Sequence, residues 1–161
     1  MIALYIFTIR KSAIPFAFLQ MAIGRRTARR TPGVTFAKLM GTGTGKTFTP
    51  TDADLKQWAV LFVAEDLDTV DQSPFIQRWK SKSTSFDKYL LDPISSHGKW
   101  SKREPFEITG KKHGGGPVIA ITRARLKWSQ SMRFWRLSSA RTRTRPPSVD
   151  GLRQYVAIIW R

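Results

Sequence analysis

The stretch VTFAKLMGTGTGKTFTPTDADLKQWAVLFVAED, residues 34–66, sets two apolar runs on either side of a glycine-rich segment. The first run, VTFAKLMG, alternates in polarity, and the second, QWAVLFVAED, is rich in β-branched and aromatic residues, so both are predicted to be strands. The segment GTGTGK between them is predicted to shape a turn or bulge at the edge of a sheet, because glycine permits positive φ and close approach of the backbone.

Two nucleotide-binding motifs resemble this glycine run, and both are out of step with it by one residue. A P-loop needs a glycine, then four other residues, then Gly-Lys-Ser/Thr, and counting back from Gly45 puts Met40 at the position of that first glycine. A dinucleotide fingerprint needs its third glycine one position after Gly45. We therefore predict no nucleotide loop, and expect Gly43 and Gly45 to let the backbone lie against a flat ligand.

A strand and a helix are predicted both before and after this hairpin along the chain. IALYIFTIR, Ile2–Arg10, predicts a buried strand, and the apolar run that follows predicts a helix capped by Ser12 and ending near Gly24. Residues 66–83 predict a second helix interrupted before its proline, and residues 86–95 a fourth extended segment. Asp66, at the start of that helix, is interpreted as a helix cap. The order β-α-β-β-α-β predicts the α+β class: a ferredoxin-like antiparallel sheet with helices on one face.

After the linker KKHGGGP, residues 111–117, the pattern of the first unit begins again. VIAITRARLKW predicts a strand and SQSMRFWRLSS a helix. This predicts a ferredoxin-like repeat of the dimeric α/β-barrel type over residues 1–112, and the start of a second, incomplete repeat over residues 113–139. Such sheets pack face to face in a tandem repeat or a homo-oligomer, so an association is expected.

The last segment, ARTRTRPPSVDGLRQYVAIIWR, residues 140–161, breaks this periodicity. One interpretation is a natural disordered basic tail that ends in an apolar strand, YVAIIW. The other is a truncated or frame-shifted chain end, and the abrupt change of composition favours it.

Composition narrows the classes of function. The 161 residues include no cysteine, which excludes disulfides, thiolate metal sites and a thiolate haem ligand, and favours a cytoplasmic location. The net charge of +17 indicates an anionic partner, either nucleic acid or an anionic membrane surface. The basic residues are spread along the chain without zinc-finger pairs, heptads or RNP-like strands, so nucleic acid is the weaker expectation.

The apolar first 23 residues resemble an anchor or a signal peptide. Arg10 and Lys11 divide them, and neither half reaches the roughly 18–20 residues that span a bilayer. The cations also stand inside the run and not before it, which disfavours a signal peptide. The expected location is the cytoplasm, with peripheral contact to the inner membrane.

Five motifs occur in the order known from the spheroidene monooxygenase-like carotenoid oxygenases, which the chain resembles over roughly residues 3–139. They are FAKLMGTGTGKTFTP (Phe36–Pro50), QWAVLFVAED (Gln57–Asp66), SPFIQRW (Ser73–Trp79), HGKWSKREPFE (His97–Glu107) and ITRARLKWSQSMRFW (Ile121–Trp135). Members of the family are longer and have a complete second repeat, which agrees with a truncated end.

The resemblance implies a monooxygenase of carotenoid biosynthesis. Such enzymes insert oxygen into spheroidene or a related acyclic carotenoid to give a keto group. The resemblance also implies a haem cofactor and a reduced ferredoxin-type electron donor. Side chains cannot insert oxygen at an unactivated carbon, so a cofactor is expected on chemical grounds as well.

Candidate site residues follow from that expectation. Without cysteine, iron would need His, Tyr or Met, and His97 in SSHGKW is the candidate ligand. Two alternatives to this assignment stay open: His97 is a loop histidine exposed to water, or the iron ligand belongs to a missing C-terminal part. His113 lies in the glycine linker and is a less suitable ligand. Trp100 is a candidate for the wall of a polyene or porphyrin channel, and Arg123 for pairing with a haem propionate. The alternative for Trp100 is core packing, and the alternative for Arg123 is a position on a solvated strand face.

A different class of function remains open on the sequence. The chain could be a non-catalytic basic module that binds nucleic acid or an anionic membrane, with RTRTRPP as its basic segment. It could also be a member of the same barrel fold that has lost its chemistry, because fold alone does not specify function.

Overall fold

The computed structural model describes residues 1–43, 53–100, 103–108, 110, 118–126 and 152–160. Its helices and strands alternate in the predicted order. They are β1 Ile2–Ile9, α1 Ile14–Arg29, β2 Val34–Gly43, β3 Ala53–Ala64, α2 Leu67–Gln72, α3 Pro74–Lys82, β4 Ser83–Leu91, β5 Val118–Leu126 and β6 Leu152–Trp160.

The first four strands form one antiparallel sheet in the order β2-β3-β1-β4. The first strand therefore lies inside the sheet, with β3 on one side and β4 on the other. This order, with α1 joining β1 to β2 and the α2–α3 pair joining β3 to β4, is the ferredoxin-like arrangement. The predicted α+β fold class and the predicted order of strands and helices along the chain are confirmed.

One face of this sheet carries the helices. Side chains alternate between faces along a strand, so Tyr5, Phe7 and Ile9 of β1 point to the same side, where they join the core formed with α1 and α3. Trp79 of α3 is central to this core, because its ring lies 5.3 Å from the rings of both Phe7 and Phe16. The apolar sides of α1 and α3 therefore pack on this face of the sheet.

The predicted limits of the first helix were wrong at both ends. The helix begins at Ile14 after a 3-10 turn at Lys11–Ala13, and its N-cap is Ala13 without a side-chain cap, so Ser12 does not cap it. It continues through Gly24 to Arg29. Gly24 serves close packing and not a helix end, since a Cβ there would stand 2.5 Å from Oε1 of Gln20 and 3.3 Å from Cδ2 of Leu39.

The central hairpin is longer than predicted. β2 extends to Gly43 and β3 begins at Ala53, so residues assigned to the loop are paired. The register shifts between Gly41 and Thr42, which is the predicted bulge, and β2 is an edge strand of the sheet. The remainder of the predicted loop, including Gly45, lies outside the described residues.

The predicted interruption of the second helix is confirmed as two short helices, α2 and α3, that meet at Ser73. Asp66 caps α2 by accepting from the backbone N–H groups of Asp68 and Thr69, and the hydroxyl of Ser73 accepts from the N–H of Ile76. Asp66 was predicted to be a helix cap, and the structure confirms it.

Loss of the Asp66 cap should destabilise the chain in a pH-dependent way. Hydrogen bonds from Thr69 and Asp68 lower the pKa of Asp66 below its usual range, so its ionised form is the stabilising one. We expect Asp66→Ala to lower the melting temperature at pH 7, and the difference from wild type to shrink as the pH falls below about 4. Calorimetry between pH 7 and pH 3 measures this, with Asp68→Ala as the control that should change less.

The remaining strands, β5 and β6, pair in parallel, from Val118 opposite Leu152 to Leu126 opposite Trp160. The strand predicted from VIAITRARLKW is confirmed, and the apolar run YVAIIW lies within β6. The helix predicted from SQSMRFWRLSS lies outside the described residues. The domain limits and the two interpretations of residues 140–161 stay predictions. No helix in the described part of the chain has the length and hydropathy to cross a bilayer.

Candidate functional site

The sheet face opposite the helices, here called the helix-free face, is lined by three rows of side chains. The strand registers place these residues side by side across β2, β3, β1 and β4. From one end of the face to the other, the rows are Phe36, Val63, Ile2 and Leu91; Lys38, Leu61, Leu4 and Tyr89; and Met40, Ala59, Ile6 and Asp87. The interior of the face is apolar, and its polar groups stand on the two edge strands.

An aromatic cluster of Phe36, Trp100 and Phe106 closes one end of this face. The rings meet edge to face, with centroids 5.6 Å apart for Trp100 and Phe106 and about 6 Å apart for the other two pairs. Trp100 is held by a two-residue bridge to Arg103, with backbone N···O distances of 2.7 and 3.1 Å. The rings of Phe36 and Trp100 are buried, and Ile119 and Ile121 of β5 pack against the same face, so the aromatic cluster belongs to a closed apolar layer.

Lys38 is the unusual residue of the face. Its side chain is only 8% exposed, although it stands between Phe36 and Met40 on an apolar surface. A lysine is almost never buried to this extent unless its ammonium group has polar company. Lys38 and Tyr89 lie on the two outer strands of the sheet, β2 and β4. Three strand spacings of about 4.8 Å separate these strands, so the two polar edges lie roughly 14 Å from each other.

The helix side of the sheet has a polar cluster of its own. The hydroxyl of the buried Tyr5 donates to Oδ1 of Asp71 at 2.7 Å, and Lys88 pairs with Oδ2 of the same carboxylate at 2.5 Å. Burial, followed by the hydrogen bond to Asp71, raises the pKa of Tyr5 far above its usual value, so the phenol stays protonated. This cluster joins β1, α2 and β4, and we assign it to stability, not to chemistry.

The structure brings one predicted site residue onto the helix-free face. Trp100 is 7% exposed and packs against that face, and its assignment to a ligand channel stays a prediction. His97 lies three residues earlier on an exposed loop, where its Nε2 is 3.0 Å from the hydroxyl of Ser95. Trp58, for which core packing was favoured, is indeed buried on the helix side.

The structure describes the other predicted site residues only in part. Gly43 is the exposed last residue of β2, paired with Ala53. Arg123 lies in β5 opposite Ala157, and its side chain is outside what the structure describes. Gly45 and His113 are also outside the described residues. The assignment of these residues to a cofactor therefore stays a prediction.

Two further features bear on ligands. Among the described residues no group of three His, Cys, Asp or Glu side chains is arranged to hold a metal ion. A cavity of about 450 Å³ opens on the helix side between the end of α1 and the start of α3. Its lining includes Thr27, Arg30 and Phe75, and none of the predicted site residues is part of it.

Comparison with known proteins gives three relatives. The chain is 36% identical over 120 residues to a spheroidene monooxygenase of Cereibacter sphaeroides. The aligned residues cover 72% of this chain and 37% of that protein. It is 32% identical over 130 residues to the spheroidene monooxygenase of Rhodobacter capsulatus, covering 77% of this chain and 54% of the relative. A third, from Rubrivivax gelatinosus, is 25% identical over 138 residues, with 83% and 53% covered. The chain is spheroidene monooxygenase-like.

This spheroidene monooxygenase-like chain spans about half the length, or less, of the curated relatives it matches. No family model matches it. Partly similar solved structures include an antibiotic biosynthesis monooxygenase, with a TM-score of 0.42, 12% identity and coverage of 59% of this chain and 100% of that one. Another is a cofactor-independent oxygenase from Streptomyces nogalater, with a TM-score of 0.34, 13% identity and coverage of 56% and 90%.

Sequence reasoning missed two residues of the spheroidene monooxygenase-like chain that the structure brings to the helix-free face. Lys38 could have been found, because the alternation in VTFAKLMG places it on the same side as Phe36 and Met40. Arg29 lies with its guanidinium carbon 5.9 Å from the centre of the Phe36 ring. No local signal reveals this contact, since it depends on α1 continuing past Gly24.

Proposed function

We propose that the chain carries the substrate-binding part of a monooxygenase that acts on spheroidene or a related acyclic carotenoid and yields a keto group. The observation that carries the proposal is the similarity to the spheroidene monooxygenases, which extends over most of this chain. The helix-free face is apolar, and Ile119 and Ile121 of β5 pack against it, so a long polyene would lie between this face and the residues that cover it. Burying a polyene there removes apolar area from water at about 25 cal/mol per Å².

The arrangement of the face suggests how a substrate would be oriented. The interior residues, such as Leu61 and Leu4, offer no hydrogen-bonding side chain, so a polyene would be held by apolar contact and by the aromatic cluster. On the described part of the face, polar side chains come from the edge strands, through Lys38 on β2 and through Asp87 and Tyr89 on β4. The methoxy-bearing end of an acyclic carotenoid would therefore be directed towards one of these edges.

We propose haem as the cofactor. When bound, haem would supply the activation of oxygen with electrons from a reduced ferredoxin-type donor. The exposed ring of His97 suits a single iron ligand, and because the hydroxyl of Ser95 engages Nε2, ligation would use Nδ1 or displace that serine. Trp100, three residues on, would place an aromatic ring near the porphyrin. The positive charge of the chain favours an acidic electron donor.

The proposed reaction is tested directly with labelled oxygen. The full chain, supplied with spheroidene, a ferredoxin, its reductase and haemin, is expected to form a keto-carotenoid that carries label from ¹⁸O₂. Omission of haemin and replacement of His97 by alanine are the two controls, and each should abolish the product. A keto product labelled from water, or an unchanged yield without haemin, would contradict the proposal.

We further propose peripheral contact with an anionic membrane through the outer side of α1. Phe18, Leu19 and Ile23 are each more than half exposed there, and Arg25 and Arg26 follow in the last turns of the helix. An exposed apolar stripe beside cations matches the interface of an anionic bilayer. The substrate is dissolved in such a bilayer, so this contact would hold the chain at the membrane that contains it.

The membrane contact predicts a specific loss of binding. The double substitution Leu19→Ser and Ile23→Ser should weaken co-sedimentation with phosphatidylglycerol vesicles by about tenfold or more, because two side chains can no longer enter the interface. Leu90→Ser is the matched control, since Leu90 is 71% exposed on β4. If Leu90→Ser weakens binding as much as the α1 variant, or if neutral vesicles bind equally well, the surface is wrong.

A further inference from the structure

Basic side chains gather at the corner of the fold where β1 and α3 both end. The backbone N–H of Arg10 donates to the carbonyl oxygen of Lys82 at 3.2 Å, so Arg10 and Lys11 lie beside the last turn of α3. Arg78 precedes Lys82 by four residues on α3, so the two share one side of that helix. These four residues are exposed, and together with the partly exposed Lys80 they are here called the cationic end.

The charge of the cationic end is not balanced by carboxylates in the described part of the chain, where none of its five cations forms an ion pair. Asp54 lies towards the same end of the sheet, on β3, where its Oδ1 accepts from the backbone N–H of Lys56. The exposed carboxylates of Glu65, Asp66 and Asp68 lie at the opposite end, where β3 ends and α2 begins. The described charges are thus polarised along the strands, and the field at the cationic end attracts an anionic partner.

An exposed aromatic ring lies among these cations. Phe86 of β4 is 38% exposed, and the ammonium nitrogen of Lys80 lies 4.4 Å from the centre of its ring. The same ring stacks on Phe7 of β1, with centroids 6.0 Å apart, and is thereby fixed to the core on the helix side. The next residue, Asp87, points to the opposite face of the sheet. An apolar spot within a charged rim is the usual composition of a protein docking surface.

We propose that the cationic end docks an acidic protein surface, that of the electron donor of the proposed monooxygenase. Electron donors bind through small, short-lived interfaces, in which complementary charge mainly sets the association rate. A bilayer fits less well, because an interfacial anchor needs apolar side chains that are free to insert, and the Phe86 ring already contacts Lys80 and Phe7. The role of the partner rests on the proposed function, whereas the docking of an acidic protein does not.

Binding of the full chain to an acidic two-iron ferredoxin tests the surface without turnover. Lys82→Glu should weaken this binding by about fivefold or more at about 20 mM salt, because it sets a like charge against the acidic partner. Lys11→Glu, in the turn before α1, should act in the same direction. The affinity of wild type should fall steeply between about 20 and about 300 mM salt, since exposed charges are screened. Biolayer interferometry measures the affinity and the association rate.

Arg30→Glu is the matched control. It changes the formal charge as Lys82→Glu does, and both residues stand at the C-terminus of a helix, so both substitutions lose the same favourable interaction with the helix dipole. The 16 residues of α1, at about 1.5 Å each, separate Arg30 from the cationic end by roughly 24 Å. The control should therefore stay within about twofold of wild type at about 20 mM salt. Melting temperatures show that each variant is folded.

Three results would overturn the inference. They are equal effects of Lys82→Glu and Arg30→Glu, no binding of the ferredoxin to wild type at low salt, and binding that does not depend on salt. The surface is a membrane contact instead if Lys82→Glu, and not Arg30→Glu, weakens binding to phosphatidylglycerol vesicles at least as much as it weakens binding to the ferredoxin.

The binding test is independent of the proposed reaction, because it uses neither substrate nor haemin. If the labelled-oxygen assay gives no product while Lys82→Glu alone weakens ferredoxin binding, the proposed function fails and the docking surface stands. If the keto product forms and the two substitutions weaken binding equally, the docking surface fails and the proposed function stands.

Discussion

Replacing Trp79 by alanine is expected to lower the free energy of unfolding by about 3–5 kcal/mol, the range for truncating a fully buried large aromatic residue. Trp79 is 1% exposed, and its ring lies within 6.5 Å of the rings of Phe7, Phe16, Phe75 and Trp58. Through these rings Trp79 joins α3 to β1, α1 and β3. Since natural domains are stable by only about 5–15 kcal/mol, much of the fold's stability depends on this side chain. Urea unfolding followed by circular dichroism measures the change.

Trp79→Phe is the informative companion of that experiment. The indole Nε1 of Trp79 is buried without a hydrogen-bond partner, so phenylalanine removes an unsatisfied donor together with some volume. The expected loss is below about 1.5 kcal/mol, because the cavity is smaller and the desolvated N–H is gone. If Trp79→Ala costs less than about 1 kcal/mol, or if both variants cost the same, the helix-side core is wrongly described.

Replacing Trp100 by alanine should have a large effect on ligand binding and a smaller one on stability. Trp100 belongs to a loop and packs on the helix-free face against Phe36 and Phe106. Loss of its ring removes one wall of the aromatic cluster, and with it about 1.5–3 kcal/mol of apolar contact with a polyene. Spheroidene affinity, measured by quenching of tryptophan fluorescence in detergent, should fall by about ten- to a hundredfold.

Two comparisons decide whether that loss is specific. Trp100→Phe keeps an aromatic ring and should retain most of the affinity. Phe86→Ala removes a ring that stacks on Phe7 from the helix side, and should leave affinity unchanged. An affinity that falls equally in Trp100→Ala and Phe86→Ala would show that the helix-free face is not the binding surface.

The order of the elements was predictable because each has a strong local period. The apolar runs of β1 and β3 and the capping residue Asp66 define their elements from the sequence alone. The first helix was mispredicted because Gly24 has two opposite uses. A glycine most often follows the end of a helix, but here it lets α1 approach Leu39 closely, and only the packing reveals this.

Less of the candidate site than of the fold could be predicted from the sequence. Trp100 was predicted from the resemblance, yet its contact with Phe36 joins residues far apart in the chain that no local pattern connects. Lys38 was visible in the alternation of β2 and was overlooked. Arg29 could not be assigned, because its position beside Phe36 depends on the length of α1 and on the edge position of β2.

The central claim is that the helix-free face of the sheet is where a carotenoid binds. Methyl NMR of alanine-labelled protein tests it, since Ala59 lies on that face, whereas Ala3 and Ala17 lie in the core beneath the helices. Titration with spheroidene in detergent is predicted to shift the Ala59 methyl signal and leave those of Ala3 and Ala17 in place. Shifts at Ala17 and Ala3 with none at Ala59 would contradict the claim.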